Sequence, residues 1–430
     1  MGSLLINKRP GSLDIKPASQ SRPFQINDFI FLSEGASNSY LIETSEGNIL
    51  INTGLGVEAP IHKNCFDQVN DKKIKYIIYT QGHVDHVGGS GFFKEYNPEA
   101  TLIAQENIIE HQSFDSLTQG GRVLNAYKFF GEMIDLMNDA IASAEKMGFK
   151  DIQSIAEPDI LFKDEYKFSL GGLDLELYSI PGGETLDALL IYLPQHKILF
   201  SGNAFGPLFP HIPNFCTIRG DRIRFAIPYL DMCKKVLELN PEILITGHFK
   251  PIEGQELIHK EVKNLHDAVE YIHTKTVEGI NAGKDMFELM QKIVLPRELS
   301  VGEGYGTVEW AIRSIYEGYT GWFRHNSTTE LYSYSPQNIF PDLNDLIDQK
   351  IALKKIKDLI DKNEYLKAIH ISEIIIASDD NEEALKMYLN IHEILLNEAQ
   401  KNSNRWIVKW LEFEIEETKN KLNEQENPST

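Results

Sequence analysis

The chain has 430 residues, 42% of them hydrophobic, and is therefore long enough for two or three domains with a substantial buried core. A formal charge of -21, from 63 acidic and 42 basic side chains, argues against a nucleic-acid partner. The sequence contains no stretch of about 18 apolar residues, so we expect no membrane span. Its three cysteines are far apart and include no CxxC pair, which fits a reducing, cytoplasmic location.

Residues 1–22 lack the apolar core and the cleavage site of a secretory signal, and we interpret them as a tail. From Phe24 to Gly54 the sequence predicts three strands, joined by the turn-forming stretches "SEGAS" and "SEGN". Strands and helices then alternate, with strands at "KIKYIIYT" and "ATLIAQ" and a helical region from about Gly121 to Gly148. A hairpin at "KFSLGGLDLELYSIPGG" and the strands "ALLIYLP", "KILFSGN" and "EILITGH" complete a domain that we place at residues 23–258.

The remainder of the chain, residues 259–425, has the pattern of almost continuous helix, with apolar residues three and four positions apart. The stretch "EYLKAIHISEIIIASDDNEEALKMYLNIHEILLNEAQ" resembles tetratricopeptide units, and its "ASDDNEEA" ends one helix and caps the next. About two repeats are too few for an independent solenoid. We therefore expect these helices to pack on their neighbours or on a second subunit.

Potential metal ligands are concentrated in "YTQGHVDHVGG", which directly follows a predicted buried strand. His83, Asp85 and His86 lie there between glycines that allow a tight backbone. Imidazole and carboxylate groups suit zinc, iron or manganese, and the alternative is a loop held by hydrogen bonds alone. Three further polar residues, Glu184, Asn203 and His248, stand at the ends of later strands, where open α/β folds place their ligands.

These residues carry a resemblance to the metallo-β-lactamase superfamily, whose signature is HxHxDH followed by ligands at three later strand ends. Within it, the chain is similar to the alkyl sulfatases, which have a glutamate ligand at the place of "PGGETLDALLIYLPQHK", an arginine-bearing segment like "TIRGDRIR" and a helical dimerisation domain like "YGTVEWAIRSIYEGYTGWF". The resemblance implies an α/β fold, an αββα sandwich followed by an all-α dimerisation domain, and hence a homodimer. The lipid-carrier-like domain that commonly follows in that family is not expected here.

The resemblance also implies two metal positions. The ligands that it assigns are His83 and Glu184, with a weak Gln81, for the first ion, and Asp85, His86 and His248 for the second. It implies further that Arg219 and Arg224 hold a sulfate group, with Asn214 and Lys250 as weaker candidates for the same anion pocket. Guanidinium groups match the geometry of a tetrahedral oxyanion, although an ion pair at the surface is the alternative for each arginine.

Three residues depart from the family pattern, and each is a neutral amide. Gln81 replaces the first histidine of the signature, Asn203 replaces an acid near both metals, and Asn52 replaces an acid common after its strand. An amide binds transition metals poorly and supplies no negative charge, so the first position is weakened while the second keeps its ligands. With only one ion bound, His83 and Glu184 are released from ligation and become candidates for proton transfer, with Asn203 beside them.

Three functions remain open at the level of the sequence. The first is a metal-dependent hydrolase of a sulfate ester or related small anionic or amphiphilic ester, using one or two zinc ions. The second is a one-metal lyase, rearrangement or iron-dependent oxidative enzyme of a biosynthetic pathway, and the third is a non-catalytic binding protein with a decayed site. The apolar insert "AFGPLFPHIPNFC" is either a substrate-pocket wall or a packed loop.

Overall fold

The structure is a computed structural model that describes residues 2–146, 154–377 and 381–426. Its residues cluster into two compact units, Met1–Gly318 and Tyr319–Thr430. The helices between residue 259 and Gly318 belong to the first unit. The domain boundary predicted after residue 258 therefore stays a prediction, resting on family likeness rather than on compactness.

The described part of the first unit contains two β-sheets. The strands of the seven-stranded sheet, in the order of their pairing, are β1 (Phe24–Gln25), β2 (Ile30–Ser33), β3 (Ser39–Thr44), β4 (Gly47–Ile51), β5 (Ile74–Ile78), β6 (Thr101–Gln105) and β7 (Ile160–Phe162). The strands of the six-stranded sheet, again in order of pairing, are β8 (Glu165–Leu170), β9 (Leu173–Ser179), β10 (Leu189–Leu193), β11 (Ile198–Gly202), β12 (Ile243–Thr246) and β13 (Ile252–Glu253).

Helices accompany both sheets. Those of the first unit are α1 (Ala59–Phe66), α2 (Val84–Val87), α3 (Ser90–Tyr96), α4 (Ile108–Leu117), α5 (Gln119–Lys146), α6 (Ala226–Leu239), α7 (Gln255–Asn281), α8 (Met286–Lys292) and α9 (Val308–Thr320). Those of the second unit are α10 (Phe340–Leu346), α11 (Gln349–Asp361), α12 (Tyr365–Ile376), α13 (Glu382–Asn402) and α14 (Arg405–Glu426). The end of the helical region predicted up to Gly148 lies outside the described residues.

The layers of the first unit arise because successive residues of a strand point to opposite faces of its sheet. In β4, Ile49 and Ile51 join the core between the two sheets, whereas Leu50 joins the core shared with α1 and α3. In β11, Phe200 faces the inter-sheet core and Leu199 the core formed with α6 and α7. A period of two thus buries both faces of each sheet. The αββα sandwich and the helical region after it are confirmed.

Several elements were not predicted, among them α1, β7 and α6. The segment predicted as one strand from Phe24 is divided into β1 and β2, because the Asn27 side chain accepts hydrogen bonds from the amides of Phe29 at 3.1 Å and Ile30 at 2.8 Å. An asparagine that bonds to the backbone two and three residues on forms a turn instead of extended chain.

The segment of residues 2–22, interpreted from sequence as a tail, packs on the first unit. The Leu4 amide donates to Glu261 at 2.8 Å, the Arg9 guanidinium donates to the Lys250 carbonyl at 3.0 Å, and the Ala18 amide donates to Glu58 at 2.7 Å. These bonds tie the segment to α7, to the loop after β12 and to the residue that precedes α1.

In the second unit, each helix from α11 to α13 contacts the helix that follows it along the chain, and their buried residues include Ile356, Ile375 and Ile391. The cap predicted before α13 is observed, since the Asn381 side chain accepts from the Ala384 amide at 3.0 Å. The residues just before it, 378–380, lie outside the described part of the chain. None of the helices described here is both long and apolar enough to cross a bilayer.

Candidate active site

Three of the predicted metal ligands meet at one edge of the sandwich. Asp85 and His86 lie on the short helix α2, a few residues after the parallel strand β5, and His248 follows β12. The loop packs closely against its neighbours at Gly82, because a Cβ added there would lie 3.0 Å from the Asp187 carboxylate. One ligand atom from each of Asp85, His86 and His248 lies within 4.8 Å of the other two.

The chemistry of this cluster fits a bound metal ion. Burial lowers the pKa of His86 to about 4 and also lowers the pKa of His248, so both imidazoles keep a lone pair at neutral pH. Nδ1 of His248 has no hydrogen-bond partner among the described residues. Two neutral imidazoles and the Asp85 carboxylate form a donor set suited to zinc, iron or manganese.

Of these three ligands, His86 has a hydrogen bond that opposes metal binding, and the partner in that bond is Asn52. The Asn52 carbonyl oxygen accepts from the Thr80 amide at 2.9 Å, which turns its NH2 group toward His86 Nδ1, also at 2.9 Å. A donor at Nδ1 favours the tautomer with the proton on Nε2, the atom that lies 3.6 Å from the Asp85 carboxylate. The amide at position 52 therefore opposes metal binding through Nε2.

The predicted ligands of the other ion are held in a hydrogen-bond network centred on Glu184. Its carboxylate accepts from Gln81 Nε2 at 2.9 Å, from Asn203 Nδ2 at 2.8 Å and from the Tyr305 hydroxyl at 2.6 Å. The Asn203 amide also lies 3.2 Å from His248 Nε2, so it links this network to the metal-ligand cluster. In the described structure both Glu184 oxygens are thus already engaged by donors.

His83 lies between two carboxylates. Its Nδ1 is 3.4 Å from Glu184 and its Nε2 is 3.2 Å from Asp221. Burial alone lowers the pKa of His83, but the hydrogen bonds and charges of Asp221 and Glu184 outweigh burial and raise it to about 10. Burial raises the pKa of Glu184, yet its contacts with His83 hold that pKa well below the usual range. At neutral pH His83 is therefore positively charged and Glu184 negatively charged.

The predicted anion-binding residues are only partly brought together. Arg224 donates to the Asn214 carbonyl at 2.7 Å and to Asp221 at 3.1 Å, and Arg219 lies 3.5 Å from the same carboxylate. Lys250 is not among them. Its ammonium is 46% exposed and pairs with Glu34 at 2.9 Å.

Sequence reasoning missed Asp221, Tyr305 and His111. Asp221 lies within the quoted "TIRGDRIR", and Tyr305 begins the quoted helical segment, so both were visible but unused. The His111 ring lies beside that of His83, with the ring centroids 5.1 Å apart and the two planes tilted by 59°. The apolar insert is a packed loop, since its large side chains, Phe205, Leu208, Phe209, Ile212 and Phe215, are all buried.

Comparisons with known proteins agree with this architecture. Residues 32–248 match the metallo-beta-lactamase superfamily and residues 285–417 match alkyl sulfatase dimerisation. A linear primary-alkylsulfatase from Pseudomonas is 30% identical over 66% of this chain and 56% of its own length. An alkyl/aryl-sulfatase from Saccharomyces cerevisiae is 24% identical over 70% of this chain and 49% of its own length. The chain thus spans about half the length of these curated relatives.

The fold is also that of a solved structure. The inverting sec-alkylsulfatase Pisa1 from Pseudomonas matches with a TM-score of 0.76 at 20% identity, covering 92% of this chain and 66% of that one. The fold of the sandwich is therefore shared with an alkylsulfatase of known structure, and so is the presence of a helical region after it. On this evidence the chain belongs to the metallo-β-lactamase superfamily and is homologous to its alkylsulfatases.

Proposed function

We propose that this protein is a metal-dependent hydrolase of a sulfate ester or a related small anionic ester, with one ion held by Asp85, His86 and His248. The observation that carries the proposal is the convergence of these three ligand atoms within 4.8 Å of one another. The similarity to alkylsulfatases supports the sulfate ester as the substrate class. Zinc is the proposed ion, and iron or manganese would suit the same donors.

The arginines lie on the other side of the Glu184 network from these ligands. Asn203 lies between His248 and Glu184, and Arg224 is held against Asp221, which contacts His83. An anion bound by Arg219, Arg224 and Asn214 would place its ester bond near His83. The site would therefore bind the charged end of a substrate with guanidinium groups and present its ester oxygen to the reacting groups.

In this proposal, the ion supplies an activated water or polarises the leaving oxygen. His83, hydrogen-bonded on both sides, is positioned to transfer a proton at the leaving oxygen. Tyr305 and Asn203 orient Glu184, which in turn fixes the ring of His83. Proton transfer of this kind commonly contributes about 10²–10⁴-fold to a rate.

A single ion is proposed because amide hydrogens already surround Glu184. Gln81 and Asn203 both direct NH2 groups at its carboxylate, so an ion at the first position would compete with these donors for Glu184. Two neighbouring divalent ions also require anionic ligands to offset their repulsion, and among the predicted ligands only Asp85 and Glu184 are carboxylates.

Elemental analysis of protein purified without added metal tests this assignment. We expect one ion per chain, lost in His86→Ala and retained in Glu184→Gln, and hydrolysis of a short alkyl sulfate that is lost with the ion. His370→Ala is the matched control, because His370 is an exposed histidine of the second unit, 3.3 Å from Glu373. A full metal load in His86→Ala would contradict the ligand assignment, and two ions with one lost in Glu184→Gln would contradict the single-ion site.

A second candidate is a lyase, rearrangement or iron-dependent oxidation on the same scaffold. It is favoured by the donor set, because two histidines and one carboxylate are also the ligands of mononuclear iron enzymes. Iron in the purified protein without sulfate-ester turnover would favour it, whereas zinc with turnover would count against it. Protein with neither metal nor turnover would instead fit a binding protein with a decayed site.

The assembly and the location are proposals as well. The match of residues 285–417 to alkyl sulfatase dimerisation supports a homodimer. Sedimentation equilibrium would test this, since a monomer at micromolar concentration would contradict it. A cytoplasmic location rests on the cysteine content alone and would be tested by fractionating cells.

A further inference from the structure

The side chain of Asp221 is buried among cationic side chains. It is 2% exposed, and its Oδ2 atom lies 3.1 Å from Arg224, 3.5 Å from Arg219 and 3.2 Å from His83. Its Oδ1 atom accepts from the Arg222 amide at 2.8 Å. A single buried carboxylate therefore faces the two arginines that were expected to bind the substrate anion.

More cationic groups surround this carboxylate than bond to it at a normal hydrogen-bond distance. Three cationic side chains converge on one oxygen, and only Arg224 and His83 are within about 3.2 Å of it, a normal hydrogen-bond distance. Arg122 lies 3.8 Å from the other oxygen and is shared with Asp115. A sulfate ester has three free oxygens where a carboxylate has two, so it would match this set of donors better.

Polar groups nearby also lack partners. Both side-chain polar atoms of Asn214 and the hydroxyl of Thr217 have no hydrogen-bond partner within the part of the chain described, although these residues are only 1% and 5% exposed. Buried polar atoms are normally satisfied, and an unsatisfied one costs about 1–3 kcal/mol. Of these residues, Asn214 lies beside Arg224, and its unpartnered NH2 group is a donor suited to an oxygen of a bound anion.

The space for that ligand is closed in this conformation. The cavity beside Arg224, lined also by Glu184, Asn214 and Tyr305 but not by Arg219 or Asp221, has a volume of only about 10 Å³. That volume accommodates one water molecule at most, so no sulfate group fits unless a neighbouring group moves. Packing at the neighbouring Gly220 would not oppose a movement of Asp221, because a Cβ added at Gly220 would meet no atom within 4 Å and both residues lie on the irregular segment between β11 and α6.

We propose that Asp221 is a resident counter-anion, whose carboxylate occupies the oxyanion position between Arg219 and Arg224 until the substrate's sulfate group displaces it. This inference rests on the proposed function, in that it assigns these arginines to the substrate anion. Asp221 then acts as an intramolecular competitor. It lowers the affinity for every anion and favours those with three oxygens over simple carboxylates, which only reproduce its own contacts.

Binding of inorganic sulfate to the whole protein, measured by calorimetry, tests the proposal directly. We expect Asp221→Asn, which keeps the shape of the side chain, to bind sulfate about tenfold more tightly or better, the scale of one charge-assisted contact. The control is Glu110→Gln, because Glu110 is a carboxylate that pairs with Arg222 of the same segment from the exposed surface. Equal or weaker sulfate binding in Asp221→Asn, or an equal gain in Glu110→Gln, would overturn the proposal.

A measurement on the wild-type protein covers the case in which Asp221→Asn does not fold. Displacement of Asp221 must break its hydrogen bond from the Arg222 amide. We therefore expect sulfate to speed hydrogen exchange in the peptide of residues 218–225, and unchanged or slower exchange would contradict the inference. Tighter sulfate binding by Asp221→Asn, with no ester turnover by the wild-type protein, would contradict the hydrolase proposal alone. Turnover by the wild-type protein without a gain in sulfate affinity in Asp221→Asn would contradict only the counter-anion proposal.

Discussion

Replacing Asn52 with aspartate should increase metal affinity, because the present amide holds His86 in the wrong tautomer for binding through Nε2. Asn52 is fully buried, and its carbonyl oxygen and NH2 group are each 2.9 Å from their partners, the Thr80 amide and His86 Nδ1. A carboxylate would accept from both partners, leaving Nε2 of His86 free as a ligand atom. It would also tolerate the left-handed backbone at this position, where φ is 57°.

Groups that orient a metal ligand typically change affinity by about 10–100-fold, so we expect Asn52→Asp to gain about 1.4–2.7 kcal/mol in binding zinc. Competition with a chromophoric chelator at neutral pH measures this gain. Asn48→Asp is the control, because it adds the same charge at a buried amide in β4 whose NH2 group bonds to the Lys72 carbonyl. Unchanged or weaker zinc binding by Asn52→Asp would refute the tautomer argument.

Three further outcomes are expected. Tyr305→Phe removes a hydrogen bond of 2.6 Å to the Glu184 carboxylate and should lower the free energy of unfolding by about 1.5–3 kcal/mol in urea titrations; no loss would mean that this bond is not formed. Burial lowers the pKa of His62 to about 3, against an unfolded value of 6.5. Between these two pH values the unfolded chain binds a proton that the folded chain does not, so the free energy of unfolding should fall by about 1.4 kcal/mol for each unit by which the pH is lowered. His62→Gln should flatten that slope, and an unchanged slope would assign it to other groups. The double variant Gln81→His with Asn203→Asp should raise the zinc content toward two ions per chain by elemental analysis, whereas one ion would mean that more than these two ligands is missing.

The metal-ligand cluster could be predicted from sequence because its members are marked by their surroundings. His86 stands between glycines after a buried strand, and His248 directly follows another strand, so fold geometry alone brings them to one edge. Lys250 lies only two residues further on, yet its side chain reaches Glu34 instead. A strand end thus predicts where a backbone lies, but the direction of a long side chain depends on neighbours that sequence spacing does not reveal.

Asp221 could not be identified for a related reason. Its role depends on contact with His83, which is 138 positions away, and on its position between Arg219 and Arg224. Within "TIRGDRIR" an aspartate between arginines has the pattern of a solvated ion pair, which is the common case at a surface. Only burial changes this interpretation, and burial of an irregular segment is a property of the tertiary fold.

The hydrogen bonds around Glu184 explain why two of the departures from the family pattern, Gln81 and Asn203, occur together. Gln81, Asn203 and Tyr305 each donate to its carboxylate and together take the place of a cation. An ion entering there must break three charge-assisted bonds of about 1.5–3 kcal/mol each, a cost of roughly 5–9 kcal/mol. A site that would otherwise bind with a Kd of about 1 nM, or about 12 kcal/mol, would then bind in the micromolar to millimolar range. Two amides oppose the cluster of Asp85, His86 and His248, namely Asn52 at His86 Nδ1 and Asn203 at His248 Nε2. Hydrogen bonds to neutral imidazoles are worth about 0.5–1.5 kcal/mol each, so the same arithmetic leaves the ion of this cluster in place.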